Sequence, residues 1–247
     1  MIETLHIQIN RFAFWCSVLM LVSGLISLAL PLDAPRGVSH VERSQWLLAN
    51  REIFILAWTN QIVAMVTLTG ALLGYAWLIR ERNPLLAILG YLTLFASFIS
   101  FIVPKFMAIW TIPMLTEIAA AETSQSSMAD SLLMLLNVSV PYSLFTAFDY
   151  LGFWLYAVFA LLIAVPVYDA QLLRKFASVS LALFAVSYHL VLLAILLGTI
   201  DIASVETYAL SVTFLLLLAA LAGLGLFRTS AQQQEVVGNA PVGEASL

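Results

Sequence analysis

The sequence predicts an all-α membrane protein, a polytopic bundle of six transmembrane helices. Apolar residues make up 62% of the 247 residues and charged residues only 10%, which is far from the balance of a soluble globular domain. Six apolar stretches are each long enough to cross the hydrocarbon core of a bilayer, which takes about 20 residues of helix. Within all six, Asp149 is the only formally charged side chain. The solvent for this fold is therefore lipid.

The six predicted spans follow one another through short connections, except after the first and the third. We place them at residues 12–30, 53–79, 84–103, 143–168, 176–200 and 208–227. The first span follows Arg11 as the apolar part of a signal peptide would, but its run exceeds the roughly 7–15 residues of such a segment. We expect an uncleaved helix there.

The long connection 104–142 is predicted to carry an extra interfacial helix. Its segment 106–121 is apolar but short, and it contains Pro113 and Glu117. An interfacial helix, a re-entrant helix and a kinked continuation of the third span past Pro104 all fit this pattern. The interfacial helix is the expectation we adopt.

The composition changes at the end of the last span, from apolar residues to Gln, Gly, Ser and Glu. Such a segment buries too little apolar area to offset the entropy of ordering it. The sequence therefore predicts a single transmembrane domain, residues 1–228, and a flexible cytoplasmic tail, residues 229–247.

Basic residues near the ends of the spans indicate the orientation. They concentrate on the side that carries both termini: Arg11, Arg80, Arg82, Arg174, Lys175 and Arg228. Because Lys and Arg are enriched in cytoplasmic loops, we predict that both termini are cytoplasmic. The hairpin 201–205, on the opposite side, carries only acidic charge. The chain is thus expected to be a multi-pass protein of a bacterial inner membrane.

Small residues at helical spacing predict which faces of the helices pack together, because helices in lipid associate through close contact rather than the hydrophobic effect. The second, third and fifth spans carry such stripes, which include Gly70 and Gly74, Gly90 and Ser97, and Ser178 and Ala185.

Four polar side chains inside the spans are the candidates for function: Asp149, His189, Asn60 and Gln61. A carboxylate at the bilayer centre costs about 2.5–3.5 kcal/mol on insertion scales, so it persists where it is paired, hydrated or useful. All four lie in the outer half of their spans, roughly 9–15 Å deep at 1.5 Å per residue. They predict one polar pocket near the extracytoplasmic side, in which Asp149 and His189 hold a proton between them.

Three further residues are expected at the rim of that pocket: Glu206, Thr207 and Lys105. A structural explanation stays open for each of the four candidates inside the spans. A histidine in a helix can bond a neighbouring carbonyl, an aspartate near a helix end can reach water, and Asn60 and Gln61 can join helices by hydrogen bonds worth about 0.6 kcal/mol each.

Several chemistries are disfavoured by the composition of the spans. A bis-histidine haem needs two imidazoles in the bundle, and only His189 lies in a span, with His6 and His40 outside. Ligand spacings for zinc or a di-iron centre do not occur in the sequence, so no metal or cofactor is expected. A Schiff-base chromophore needs a buried lysine, whereas Lys105 and Lys175 stand at span ends. The net charge of −4 and the lack of a basic patch exclude nucleic acid as a partner.

Three segments of the chain carry a resemblance to a known protein family. They read LLANREIFILAWTNQIVAMVTLTGALLGYAWLI, NPLLAILG and AFDYLGFWLYAVFALL. In the first segment Asn50 and Phe54 introduce the second span, and in the last segment Asp149 precedes Gly152 and Phe153. With these motifs the chain resembles a family of bacterial six-helix membrane proteins that is catalogued as a domain of unknown function.

The resemblance covers about residues 46–193 and implies a six-helix topology. It also draws attention to Asp149, which matches an acidic residue of the family's fourth helix. The chain departs from the family before the fifth helix, where members tend to have a proline and this chain has Leu173, Arg174 and Lys175. Because the family has no assigned activity, the resemblance implies no reaction.

Two classes of function fit the sequence. The first is a non-enzymatic binding or accessory module, which holds a lipid, a quinone-like molecule or another amphipathic ligand, or packs on a larger membrane complex or on itself as a homo-oligomer. The alternative is a small permease or proton-coupled carrier with Asp149 and His189 as its relay. Carriers commonly show internal repeats and broken helices at the midplane. The chain shows no convincing repeat, so we expect the first class and no enzymatic activity.

Overall fold

The regular secondary structure of the described residues is all helical, and these residues contain no strand. A computed structural model describes residues 2–121, 123–140, 142–201 and 204–238. The helices are α1 Ile2–Ser27, α2 His40–Ala49, α3 Arg51–Ile79, α4 Pro84–Phe106, α5 Ile112–Ala120, α6 Ser126–Leu135, α7 Leu144–Val167, α8 Leu172–Leu196 and α9 Val205–Gly238, with a π-helical turn at Met107–Thr111 between α4 and α5.

Six of the helical segments are long and apolar enough to cross a membrane, as expected of a multi-pass membrane protein. These candidate spans are Thr4–Ser27, Arg51–Ile79, Pro84–Ala120, Leu144–Val167, Leu172–Leu196 and Thr207–Thr229. The prediction of an all-helical fold with six long apolar helices is therefore confirmed.

Both terminal helices extend further than the sequence indicated. Helix α1 begins at Ile2, ten residues before the predicted start at Phe12, because an exposed charged residue such as Arg11 does not end a helix. Helix α9 continues to Gly238, so the first part of the predicted tail is helical. The rest of that tail, 239–247, lies outside the described residues.

Side chains at the helix ends explain where several helices start and stop. The Ser39 hydroxyl accepts a hydrogen bond from the backbone N–H of Glu42, whose carboxylate bonds back to Ser39, and this capping box starts α2. The Ser143 hydroxyl accepts from the backbone N–H of Thr146 at 3.1 Å and starts α7. Gly198 follows α8 with a φ of 66°, the left-handed conformation that commonly ends a helix.

The six long helices form a closed ring in chain order, α1, α3, α4, α7, α8 and α9, with α9 returning to pack on α1. Small hydroxyl side chains such as Ser17, Ser97 and Ser178 are buried between them, whereas large apolar side chains such as Phe95 and Leu190 are exposed on the outside. An exterior of large apolar side chains is the distribution expected when the surrounding solvent is lipid.

The predicted small-residue stripes lie at helix contacts. A Cβ on Gly70 would stand 2.5 Å from Cys16 Sγ, and one on Gly74 would stand 2.5 Å from Ala13 Cβ. Both distances are far below van der Waals contact, so only glycine allows α1 to approach α3 this closely.

The segment 106–121 is not a separate interfacial helix. It continues α4 through the π-helical turn into α5, so that Pro84–Ala120 forms one long helical segment. The continuation past Pro104, one of the alternatives left by the sequence, is the one that forms. Pro113 lacks the N–H that would bond the carbonyl of Ile109, and the wider π turn falls just before it, where the helical register changes.

A small second layer, which we call the cap, covers one end of the ring. It comprises residues 28–50, 107–121, 123–140, 142 and 143, with α2, α5 and α6. Its apolar core, which it shares with the adjoining ends of α3 and α7, consists of Leu47, Phe54, Trp58, Ala108, Ile112, Leu133, Leu136 and Phe145. We call this end of the ring the cap end. The opposite end, with the start of α1 and the short turns after α3 and α7, is the turn end.

A cavity beneath the cap

A cavity of about 310 Å³ lies inside the ring directly beneath the cap. Helices α1, α3, α4, α7 and α9 and two loops of the cap contribute to its lining. Most of the lining is apolar, and six aromatic side chains dominate it: Trp58, Phe101, Phe145, Tyr150, Phe153 and Tyr156. Ligand pockets in proteins have this character, with apolar walls and a few placed polar groups.

The roof of the cavity consists of the two cap loops, which meet at Asp33 and Ser139. The indole Nε1 of Trp58 donates to the Leu32 carbonyl at 2.9 Å and fixes the first loop to α3. The Ser139 hydroxyl donates to Asp33, which joins the second loop to the first. Asp33 also accepts from Arg43 Nε at 3.0 Å on both carboxylate oxygens, so the roof is tied to α2.

The wall of the cavity carries a buried ion pair between Lys105 of α4 and Asp149 of α7. Lys105 Nζ lies 2.7 Å from Asp149 Oδ1, and the two side chains are only 7% and 22% exposed. The ammonium group also lies 4.6 Å from the ring centroid of Phe101 and 5.9 Å from that of Trp58, within the range of cation–π attraction. Removing two charges from water is costly, and their mutual attraction and hydrogen bonding offset that cost here.

Close packing of α4 against α7 brings the two charges together. The Ser97 hydroxyl donates to the Gly152 carbonyl at 2.8 Å, and a Cβ on Gly152 would lie 2.7 Å from the ring of Phe101. Gly152 therefore lets the Phe101 ring lie directly against the backbone of α7. Asp149, about one turn before Gly152, meets Lys105, about one turn after Phe101.

Lys105 occupies a different position from the one that the sequence indicated. It is part of the buried wall rather than the rim, because the helix continues past Phe106 into the cap and covers it. The sequence argument against a Schiff base assumed lysines at exposed span ends, so that assumption is wrong for Lys105.

Gln61 and Asn60 have different positions although they are neighbours on α3. Gln61 lines the cavity and donates from Nε2 to Ser27 Oγ at 2.9 Å. Asn60 accepts from Ser23 Oγ at 2.8 Å and donates to the Ser23 carbonyl and to Ser27 Oγ. Asn60 therefore joins α3 to α1, which is the helix-joining role that the sequence left open for it.

His189 does not join Asp149 in the described structure. Its Nδ1 lies 2.7 Å from the carbonyl of Ala185 on its own helix α8, and it is not among the residues that line the cavity. The neighbouring Tyr188 is turned inward instead and donates to the Tyr150 carbonyl at 3.0 Å. Successive residues of a helix point about 100° apart, so one register cannot direct both side chains into the ring.

The predicted rim residues of α9 do not line the cavity in the described part of the chain. Thr207 is exposed, and the side chain of Glu206 lies outside the described residues. Ala209 and Thr213, one and two turns further along the helix, contribute to the lining instead. Among the described residues, no group of three His, Cys, Asp or Glu side chains is arranged to hold a metal ion.

Sequence reasoning missed the roof of this cavity, and it expected the cation Lys105 at the rim rather than in the wall. Asp33 lies in a connection that seemed an ordinary polar loop, and Lys105 seemed a basic residue at a membrane boundary. The one available signal was that Lys105 is the only basic residue between Pro84 and Tyr168, facing a span that holds the only membrane carboxylate.

The fold and the cavity define an all-helical bundle of the multi-pass membrane class with a capped internal pocket. Comparison of the chain with protein-family models, with curated proteins and with solved structures gives no match.

Proposed function

We propose that this protein is a non-enzymatic binding or accessory module that holds a small amphipathic molecule in the cavity beneath the cap. The observation that carries the proposal is the Lys105–Asp149 ion pair on the wall of an otherwise largely apolar cavity. A buried ion pair often adds little net stability, even when it is fully packed. Stability alone therefore does not explain why this pair faces a cavity. Ionisable residues inside membrane helices instead commonly mark sites of function.

The volume of the cavity limits the size of the ligand. At about 310 Å³ it lies at the lower end of the range of ligand pockets, roughly 300–1,000 Å³. This volume suits a single short chain or one ring system better than a complete two-chain lipid. The aromatic side chains would surround the apolar body, and the ion pair would receive the polar end.

The proposal includes an orientation, with both termini in the cytoplasm of a bacterium and the cap on the outer face of its inner membrane. The basic residues Arg80, Arg82 and Arg174 lie at the turn end, as the enrichment of Lys and Arg in cytoplasmic loops favours.

Photolabelling with a diazirine derivative of 1-decanol, on protein reconstituted in nanodiscs, tests the proposal. We expect labelled peptides from the cavity wall, and we expect Ala64→Phe to remove this labelling because it fills the cavity with a ring. Val63→Phe is the matched control, since Val63 is the adjacent residue, is 43% exposed on the outer face of α3 and does not line the cavity. Equal cavity labelling in both variants would contradict the proposal.

The carrier alternative has less support from the contacts. It required Asp149 and His189 to be in contact, and the described structure gives them different partners, Lys105 and the Ala185 carbonyl. A binding role needs no contact between Asp149 and His189, only the ion pair and the cavity that the structure contains.

A further inference from the structure

The hydrogen-bonding capacity of the Lys105–Asp149 pair is only partly used. An ammonium group has three N–H donors and an ionised carboxylate has two acceptor oxygens. Among the described residues, Lys105 Nζ has one hydrogen-bond acceptor, Asp149 Oδ1, and Asp149 Oδ2 has no donor. The pair can therefore both donate to and accept from a third group in the cavity.

The charges around the cavity balance. Lys105 is paired with Asp149 at 2.7 Å, and Asp33 in the roof is paired with Arg43 at 3.0 Å. An anionic ligand would gain from Lys105 but would meet Asp149 beside it, and a cationic ligand would meet Lys105. Because like charges repel at short range, and more strongly among apolar walls than in bulk water, neither a net anion nor a net cation suits this site.

We infer that the ligand has an uncharged polar head with an acceptor and a donor side by side, such as a primary carboxamide, on a short apolar body. The head accepts from Lys105 Nζ through its oxygen and donates to Asp149 through its N–H or O–H. This inference deepens the proposed function and rests on it, since it specifies the ligand class of the same cavity.

Three probes that share one chain and differ only in the head group test the inference: decanamide, decanoate and decylamine. Each competes with the diazirine decanol at pH 8, where decanoate is ionised and decylamine is protonated. We expect decanamide to compete at a concentration at least about tenfold lower than either charged probe, because a charged head leaves one member of the pair facing a like charge.

Two single variants should change the preference in opposite directions. Lys105→Met leaves Asp149 alone and should make decylamine the strongest competitor, whereas Asp149→Asn leaves Lys105 alone and should favour decanoate. Since an unpaired buried charge can prevent folding, the double variant Lys105→Met with Asp149→Leu is included. It should fold, bind the decanol and show no preference for decanamide over the neutral decanol head.

The control is the pair Arg51–Glu117, at 2.9 Å and with both side chains about half exposed on the cap. Arg51→Gln should leave the order of the three probes unchanged. Equal competition by the three probes, or a preference of the unmodified protein for decanoate or decylamine, would overturn the inference while leaving the proposed cavity in place. Absence of decanol labelling in the cavity would overturn both.

Discussion

Asp33 and Arg43 form the most deeply buried ion pair of the cap, with side chains 9% and 4% exposed. Arg43 Nε bonds both carboxylate oxygens, and Nη1 and Nη2 of Arg43 are buried without a hydrogen-bond partner among the described residues. The guanidinium charge therefore depends on Asp33 for its compensation. Because Asp33 also accepts from Ser139, this one carboxylate connects both loops of the roof to α2.

We expect Asp33→Asn to lower the free energy of unfolding by about 3–5 kcal/mol, because it leaves the buried charge of Arg43 uncompensated. Chemical denaturation in a mild detergent, followed by circular dichroism, measures this loss. The matched control is Glu117→Gln, which breaks the exposed pair with Arg51 and should cost no more than about 1 kcal/mol. Similar losses in the two variants would show that the roof does not depend on Asp33.

At the scale of single residues, the sequence predicted part of the site. Asp149 was predictable because a lone carboxylate in a membrane span needs an explanation, and Gln61 because a polar side chain in a span faces the interior of the bundle. The partnership of Asp149 with Lys105 was not predictable, because it depends on how far α4 extends beyond Pro104. His189 follows its structural explanation, a bond to the neighbouring Ala185 carbonyl, because Tyr188 rather than His189 faces the interior of the ring.

At the scale of helices, the spans were predictable because about 20 apolar residues in a row have few other structures available to them. Their ends were less predictable, because a charged residue at a membrane boundary can remain within the helix. The clearest example of an end that differs from the prediction is that of the third span, whose helix continues through the π turn before Pro113. A proline in a short apolar segment is typical of a helix end, and here the wider turn allows the helix to continue into the cap.

The cap covers one end of the ring of helices, and its two loops form the roof of the cavity. Trp58 belongs to both layers, since its side chain lies in the apolar core of the cap and also lines the cavity. Its ring packs edge-on against Phe145 at a centroid distance of 4.9 Å. Trp58 therefore contacts both the roof, through the Leu32 carbonyl, and the wall, where the ammonium group of Lys105 lies 5.9 Å from its ring centroid.

At the scale of the whole molecule, the six long helices run alternately up and down, so the start of α1 and the end of α9 lie at the turn end of the ring and the cap lies at the other. Short connections keep α3 beside α4, α7 beside α8, and α8 beside α9 in that ring. The cap could not be predicted from the sequence, because its contacts join segments far apart in the chain, such as His40 of α2 with Asp130 of α6 at 2.7 Å.

The proposed orientation predicts which positions a reagent can reach from outside a bacterial cell. In a background with Cys16→Ser, we expect Ser127→Cys, on the exposed surface of the cap, to react with a membrane-impermeant maleimide in intact cells. Glu81→Cys, in the exposed turn after α3, should react only after the membrane is permeabilised. The reverse pattern would place the cap in the cytoplasm, although the cavity and its ion pair would be unchanged.

The most direct test of the central claim is an experimental structure with 10-bromodecanamide, in which anomalous scattering locates the bromine atom. We predict a bromine peak inside the ring, among the aromatic side chains beneath the cap, with the amide within hydrogen-bonding distance of Lys105 and Asp149. Bromine found only against the outer apolar faces of the helices would contradict the account.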